Sequence, residues 1–270
     1  MLRSMYSGIA GLRGFQTKLD VIGNNIANVN TVGFKKGRVM FQDILSQNVQ
    51  GAGASTDTKG GTNPVQIGLG SSIGSIDTVF STGSPMTTNL PTDLSIEGDA
   101  FFMVQAGDGT PVYYTRAGNF TRDSSGFLVN PQGYKLLDTA GAPIQIDQSA
   151  GIVSYSIGKD GLITTVDEAG ELTSDVTIGV MKFNNPGGLK KVGNSLYETT
   201  VNAGPASTPD APIAPADAKV SIIAGQLEMS NVDLSEEFTE MIVAQRGFQA
   251  NSRIITTSDT VLEELVNLKR

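Results

Sequence analysis

This chain contains neither histidine nor cysteine, so any chemistry it performs falls to carboxylates, hydroxyls, amides and lysines. A Cys/His zinc site, a thiolate nucleophile and an imidazole base are excluded at once. The most suggestive acids are Asp93, Glu97 and Asp99, crowded into PTDLSIEGDAFF. Two carboxylates flanking a glycosidic bond can act as acid and base, but this stretch reads first as turn and strand-end chemistry. The run GLGSSIG at 68–74 is glycine-rich, yet a dinucleotide fingerprint needs a strand before it and a helix after it. GDGT and KDG offer oxygen ligands without the spacing of an EF-hand loop, and read as hairpin turns. Asn119, Phe120 and Thr121 match a glycosylation sequon and carry little weight. No catalytic residues, metal or cofactor are expected.

The amides are more informative. In LDVIGNNIANVNTVGF, residues 19–34, an apolar stripe at Leu19, Ile22, Ile26 and Val29 is interleaved with Asn24, Asn25, Asn28 and glycines. The stripe belongs to a longer heptad pattern that predicts a helix over residues 2 to about 29. Met5, Leu12, Leu19 and Ile26 fall seven apart. Phe15, Ile22 and Val29 form a second series, and Leu2 and Ile9 extend the seam. Gly8, Gly11, Gly14 and Gly23 each cost such a helix about 1 kcal/mol against alanine, so in isolation it is marginal. Residues 1–30 hold only four charged side chains, Arg3, Arg13, Lys18 and Asp20. A helix in water displays more charge than this opposite its seam, whereas asparagine bonds to protein neighbours without burying a charge.

The last segment, 233–268, predicts a second helix. Asp233 or Ser235 can cap it, with Glu236 and Glu237 in the first turn. Leu234, Met241, Phe248, Ile255 and Leu262 recur every seven residues, Phe238 and Val266 sit on companion positions, and Leu265 lies beside them. Its middle, AQRGFQANSR, shows the same habit with Gln245, Gln249, Asn251 and Ser252. Residues 1–30 hold three basic and one acidic side chain; 233–270 hold four basic and seven acidic. The two ends are thus complementary, and both read as helices surrounded by protein in the working state.

Between the helices the pattern is β. Short alternating runs between residues 76 and 218 are punctuated by turns at 107–109, 123–126, 131–133, 159–161 and 184–188, the spacing of a sandwich or barrel. High glycine (32 residues) and low aromatic content (6%) suit that architecture. Residues 204–217 read as a Pro/Ala-rich surface loop. The expected class is mainly β with helical termini. Residues 1–30 plus 233–270 form a discontinuous, coiled-coil-like core domain; 31–75 plus 219–232 form a connector with extended or β structure; and 76–218 form an antiparallel sandwich or barrel-like body. The Lys35, Lys36 and Arg38 cluster reads as a solvated or interfacial patch. A net charge of −8 argues against nucleic acid and against an anionic membrane surface, and no stretch reaches the length of a membrane span. The N-terminus lacks the apolar h-region of a secretory signal.

The runs SGIAGL, LDVIGNNIANVNTVGFKKGR, YTRAGNFTRDSSGFLV and LEMSNVDLSEEFTEMIVAQRGFQANSRIITTSDTVLEELVNL together resemble the axial proteins of the bacterial flagellum, across nearly the whole chain. Within that family MYSGIAGL and SNVDLSEEFTEMIVAQRGFQANSR look more like a short, Gram-positive type of hook protein, with the distal rod protein as the alternative. The resemblance implies a structural subunit and not an enzyme. It implies export through the flagellar type III apparatus without a cleaved signal, and polymerisation of identical copies into a helical tube that serves motility, for the hook as a curved universal joint between rod and filament. Partners so implied are further copies of the chain, a hook cap, distal rod subunits and hook–filament junction proteins. The assembly interface would use Leu2, Met5, Ile9, Leu12, Phe15, Leu19, Ile22, Asn24, Asn25, Ile26, Asn28 and Val29 of the first helix. From the second it would use Leu234, Phe238, Met241, Gln245, Phe248, Asn251, Ile255, Leu262 and Leu265. A reading from another class, a β-sandwich carbohydrate-active enzyme or adhesin, would leave the terminal seams without a job.

Overall fold

The computed structural model describes residues 2–55, 60–107, 111–146, 152–168, 170–204 and 212–268. Part of the 107–109 turn and half of the 204–217 loop therefore lie outside the described residues, as does the side chain of Leu2. The chain is mainly β with a long helix at each end, as its periodicities require. Helix α1 spans Leu2–Ala27 and α2 spans Leu234–Asn267. Asp233 caps α2, its Oδ1 accepting from the Ser235 and Glu236 amides at 2.8 and 3.4 Å. Glu236 and Glu237 place negative charge on the positive end of the helix dipole.

The described residues divide into two compact units. One contains α1, Gly37–Thr78 and α2. Here most of the segment read as a connector with extended or β structure holds two antiparallel ladders. Strand β1 (Gly37–Asp43) and β4 (Ser71–Thr78) pair from Gly37 with Thr78 to Asp43 with Ser71. Between them β2 (Ser46–Gln50) pairs with β3 (Val65–Gly68). The Phe15 ring of α1 lies 5.7 Å from that of Phe41 on β1.

The other unit contains Asn28–Lys36 and Val79–Val232. It begins with β5 (Pro85–Thr87), β6 (Leu94–Glu97), β7 (Phe101–Gln105), β8 (Val112–Thr115), β9 (Thr121–Arg122), β10 (Leu128–Val129) and β11 (Lys135–Leu136). It continues with β12 (Ile152–Ile157), β13 (Leu162–Asp167), β14 (Leu172–Thr177), β15 (Val180–Met181), β16 (Lys190–Gly193), β17 (Leu196–Glu198), β18 (Ser221–Ala224) and β19 (Gln226–Glu228). The main sheet runs β16-β17-β8-β7-β11-β10-β9, with β15 also on β7, and β12-β13-β14 form a separate meander. Every pairing between the described strands is antiparallel.

Strand β7 is buried along its whole length, so its alternating side chains feed two cores. Phe102 and Val104 face a cluster with Leu94, Phe120 and Leu136. Phe101 and Met103 face a second one with Tyr114, Phe183 and Tyr197. Edge-to-face ring pairs, Phe102 with Phe120 at 5.4 Å and Tyr114 with Phe183 at 4.9 Å, fix both packings.

Candidate assembly interface

The contact between α1 and α2 is built on small residues. Gly8, Gly11 and Gly14 are buried, followed along the same face by Ile22 and Asn25. A Cβ at Gly11 would fall 2.9 Å from the Asn251 amide nitrogen, and one at Gly8 would lie 3.5 Å from Ile255. A Cβ at Gly14 would sit 2.7 Å from the Phe41 ring, and one at Gly247 of α2 would sit 2.5 Å from the ring of Phe15. The helix-weakening glycines are therefore where backbone and side chain must approach closely. Gly23 is the exception, with open space where its Cβ would be.

These positions give opposite signs to one substitution. Gly23→Ala should raise stability by up to about 1 kcal/mol through helix propensity alone. Gly247→Ala gains the same propensity but overpacks Phe15, at a cost of roughly 1–3 kcal/mol, and should lower stability on balance. Thermal melts of the helical circular dichroism signal would show the midpoint moving up for the first and down for the second.

Asn25 explains the asparagine-rich exit of α1. It is buried, and its amide nitrogen donates to the Gly37 carbonyl at 2.9 Å while its Oδ1 accepts from the Gly37 N–H at 2.9 Å. The side chain thus pairs with one residue of β1 as a neighbouring strand would. The same nitrogen also reaches Glu237 of α2 at 3.1 Å, so one amide ties α1, β1 and α2 together. One turn further along α2, Glu240 forms an ion pair with Lys18 of α1, as the complementary charges of the two ends suggest. Asn28 instead accepts from the Thr31 hydroxyl at 3.0 Å in the turn beyond the helix.

The named residues therefore fall into two groups. Met5, Leu12, Phe15, Leu19, Ile26, Val29, Met241, Asn251, Ile255 and Leu262 are half-buried within the chain, and Ile22 is fully so. Ile9, Asn24, Leu234, Phe238, Gln245, Phe248 and Leu265 are exposed. On α2 the inner column is Glu237, Ala244, Asn251 and Ser258, one position before the heptad column that holds Phe238 and Val266. Gly8 and Gly11 of α1 meet this column at Asn251, and Asn25 meets it at Glu237.

Of the 34 residues of α2, only Glu237 and Ala244 are fully buried. Leu234, Phe238 and Ile242 form an outward stripe along its first half, with Phe238 and Ile242 50% and 59% exposed. Val261, Leu265 and Leu268 form another near its end. Tyr6 and Ile9 of α1 are exposed as well. An apolar residue standing alone in water needs no explanation, but stripes of them along a helix mark an interaction surface.

Sequence reasoning missed a second feature, a buried ion cluster in the β unit. Lys35, Arg116 and Glu228 are almost completely inaccessible. Glu228 Oε1 accepts from Lys35 Nζ at 2.5 Å and from the Gly83 amide at 3.0 Å, and its Oε2 accepts from Arg116 at 3.3 Å. Lys35 also donates to the Ser81 carbonyl at 2.7 Å, and Arg116 to that of Gly98 at 2.6 Å. The Arg116 guanidinium lies 5.1 Å from the centre of the Phe101 ring. Burial pulls the Lys35 ammonium and the Arg116 guanidinium below their usual values, against the attraction of Glu228. Lys35 is therefore not part of a solvated patch; its carboxylate partner is Glu228. Of the three crowded acids, Asp93 is buried just before β6, and Glu97 at its exposed end accepts from the Ser221 hydroxyl at 2.9 Å.

Helical ends with uncovered apolar stripes, flanking an antiparallel β body, are the layout expected of a flagellar axial protein. The chain does belong to the flagellar rod and hook protein family. Family profiles described as "Flagella basal body rod protein", "Flagellar hook protein FlgE/F/G D1 domain" and "Flagellar basal body rod FlgEFG protein C-terminal" match residues 5–35, 95–165 and 223–268. The chain is 55% identical to the flagellar basal-body rod protein FlgG of Bacillus subtilis, over the full length of both. It is 37% identical to FlgG of Borreliella burgdorferi, again over both full lengths. The flagellar hook protein FlgE of the same organism is 29% identical, in an alignment that spans 446 positions and covers both chains.

Proposed function

We propose that this protein is the distal rod subunit of the flagellar basal body, a structural and non-catalytic protein that polymerises with copies of itself into the axial tube. The observation that carries the polymer reading is α2, long, apolar in stripes, and buried at only two positions within its own chain. In the tube the exposed residues of both helices pack against neighbouring copies, and the repeated contact builds an open helical array. The subunit reaches its place through the flagellar export apparatus, and its axial neighbours are other rod and hook subunits.

The rod reading displaces the hook reading that the end motifs favoured. Those motifs serve the helical ends, which rod and hook proteins share, and so discriminate poorly between them. Length discriminates better: the rod relatives align over 271 and 273 positions, the hook relative over 446. This chain has no room for the additional segments of that hook protein. Electron microscopy of purified basal bodies carrying a label on this chain tests the choice. Label on the straight shaft within the envelope is the expected result, and label on the curved segment outside it would restore the hook.

A further inference from the structure

We propose that the Glu228 cluster is a coupling device, which makes ordering of the three chain passages 28–36, 79–84 and 226–232 conditional on the folded β body. These passages hold one another through neutral groups. The Lys36 amide donates to Asn231 Oδ1 at 2.8 Å, Asn231 donates to the Val79 carbonyl at 2.8 Å, and the Val79 amide donates to the Lys36 carbonyl at 2.9 Å. The Gly33 amide, at a residue with φ of 66°, donates to the Glu228 carbonyl at 2.8 Å. Glu228 then adds a charge that gathers one donor from each of the other two passages, Lys35 and Gly83, and one from the body, Arg116.

The dependence on the body is electrostatic. Without Arg116 and the strands around it, Lys35 and Glu228 would form a solvated pair, which contributes little. Within the body they lie out of water, where each charge is tolerable only while the others are present. Arg116 keeps three further partners in the body, the Gly98 and Ile96 carbonyls and the face of Phe101, whereas among the described residues Lys35 donates only to Ser81 and Glu228. Loss of the Glu228 charge would therefore leave two buried cations, and Lys35, with the weaker hold, would be expelled. The passages would open while β7 and β8 stayed closed. In a subunit that assembles through its ends, such a device withholds an ordered exit from α1 and entry to α2 until the body has folded. That consequence rests on the proposed function, but the coupling itself does not.

Amide hydrogen exchange on the full-length, unassembled subunit tests the coupling directly, so its failure is distinguishable from failure of the tube reading. In the native chain, the Gly33, Lys36, Val79 and Met229 amides should share the protection of the β7–β8 ladder and converge with it as urea is added. In Glu228→Gln they should exchange roughly 100-fold faster or more, with Met103 and Tyr114 little changed. Lys35→Met leaves the Arg116–Glu228 pair matched and should loosen the passages by less than about tenfold. The proposal is overturned if the native passages already exchange well ahead of β7–β8, if Glu228→Gln loosens body and passages equally, or if Lys35→Met acts as strongly as Glu228→Gln. The native-chain comparison decides the matter even if Glu228→Gln does not fold.

Discussion

A chain lacking residues 1–27 should form no tubes at any attainable concentration, yet keep a folded β unit. Residues 28–36 and 79–232 form a compact unit of their own, with both aromatic cores contained in it. Deleting α1 removes Phe15, Gly11 and Gly8, against which Gly247, Asn251 and Ile255 pack, together with the Asn25 and Lys18 contacts to Glu237 and Glu240. Most of the stability of a helix comes from its packed face rather than its propensity, so α2 should unravel as well. The helical circular dichroism signal should therefore fall by more than the 26 residues of α1 account for, while near-ultraviolet signals from the β unit persist. Tubes assembled from the truncated chain would remove α1 from the polymer contact.

Phe238→Glu, alone or with Ile242→Glu, should separate folding from assembly. Both side chains are at least half exposed on α2, and surface substitutions of this kind change subunit stability by about 0.5 kcal/mol or less. In the tube the same positions would be covered. Burying such a side chain contributes about 1.5–3 kcal/mol, and burying an unpaired carboxylate in its place costs more. The critical concentration for polymerisation, measured by sedimentation, should rise roughly 100-fold or more. An unchanged critical concentration would mean that this stripe of α2 faces solvent in the polymer too.

Much of the architecture was readable because it rests on local rules. The heptads from Met5 to Ile26 and from Leu234 to Leu262 specify long helices, and Asp233 followed by acids marks where the second begins. Regularly spaced turn residues announce an antiparallel β body. The glycine and asparagine content of the first helix pointed to protein surroundings. The structure gives that content specific partners: Gly11 against Asn251, Gly14 against Phe41, and Asn25 paired with Gly37. The neighbouring column of α2 escaped the periodicity argument. Apolar spacing favours Phe238, whereas the inner face carries Glu237 against Asn25 and Asn251 against Gly8 and Gly11.

By itself the sequence determined the kind of elements, their order and the family, because each depends on residues a few positions apart or on motifs read in line. Tertiary structure alone decided which face of each helix is already occupied and which remains free. It alone brought Lys35, Arg116 and Glu228 together, charges 81 and 112 residues apart along the chain. The reason is physical. Periodicity records which residues avoid water, but the depth at which a charge can be buried depends on partners that only the folded chain delivers.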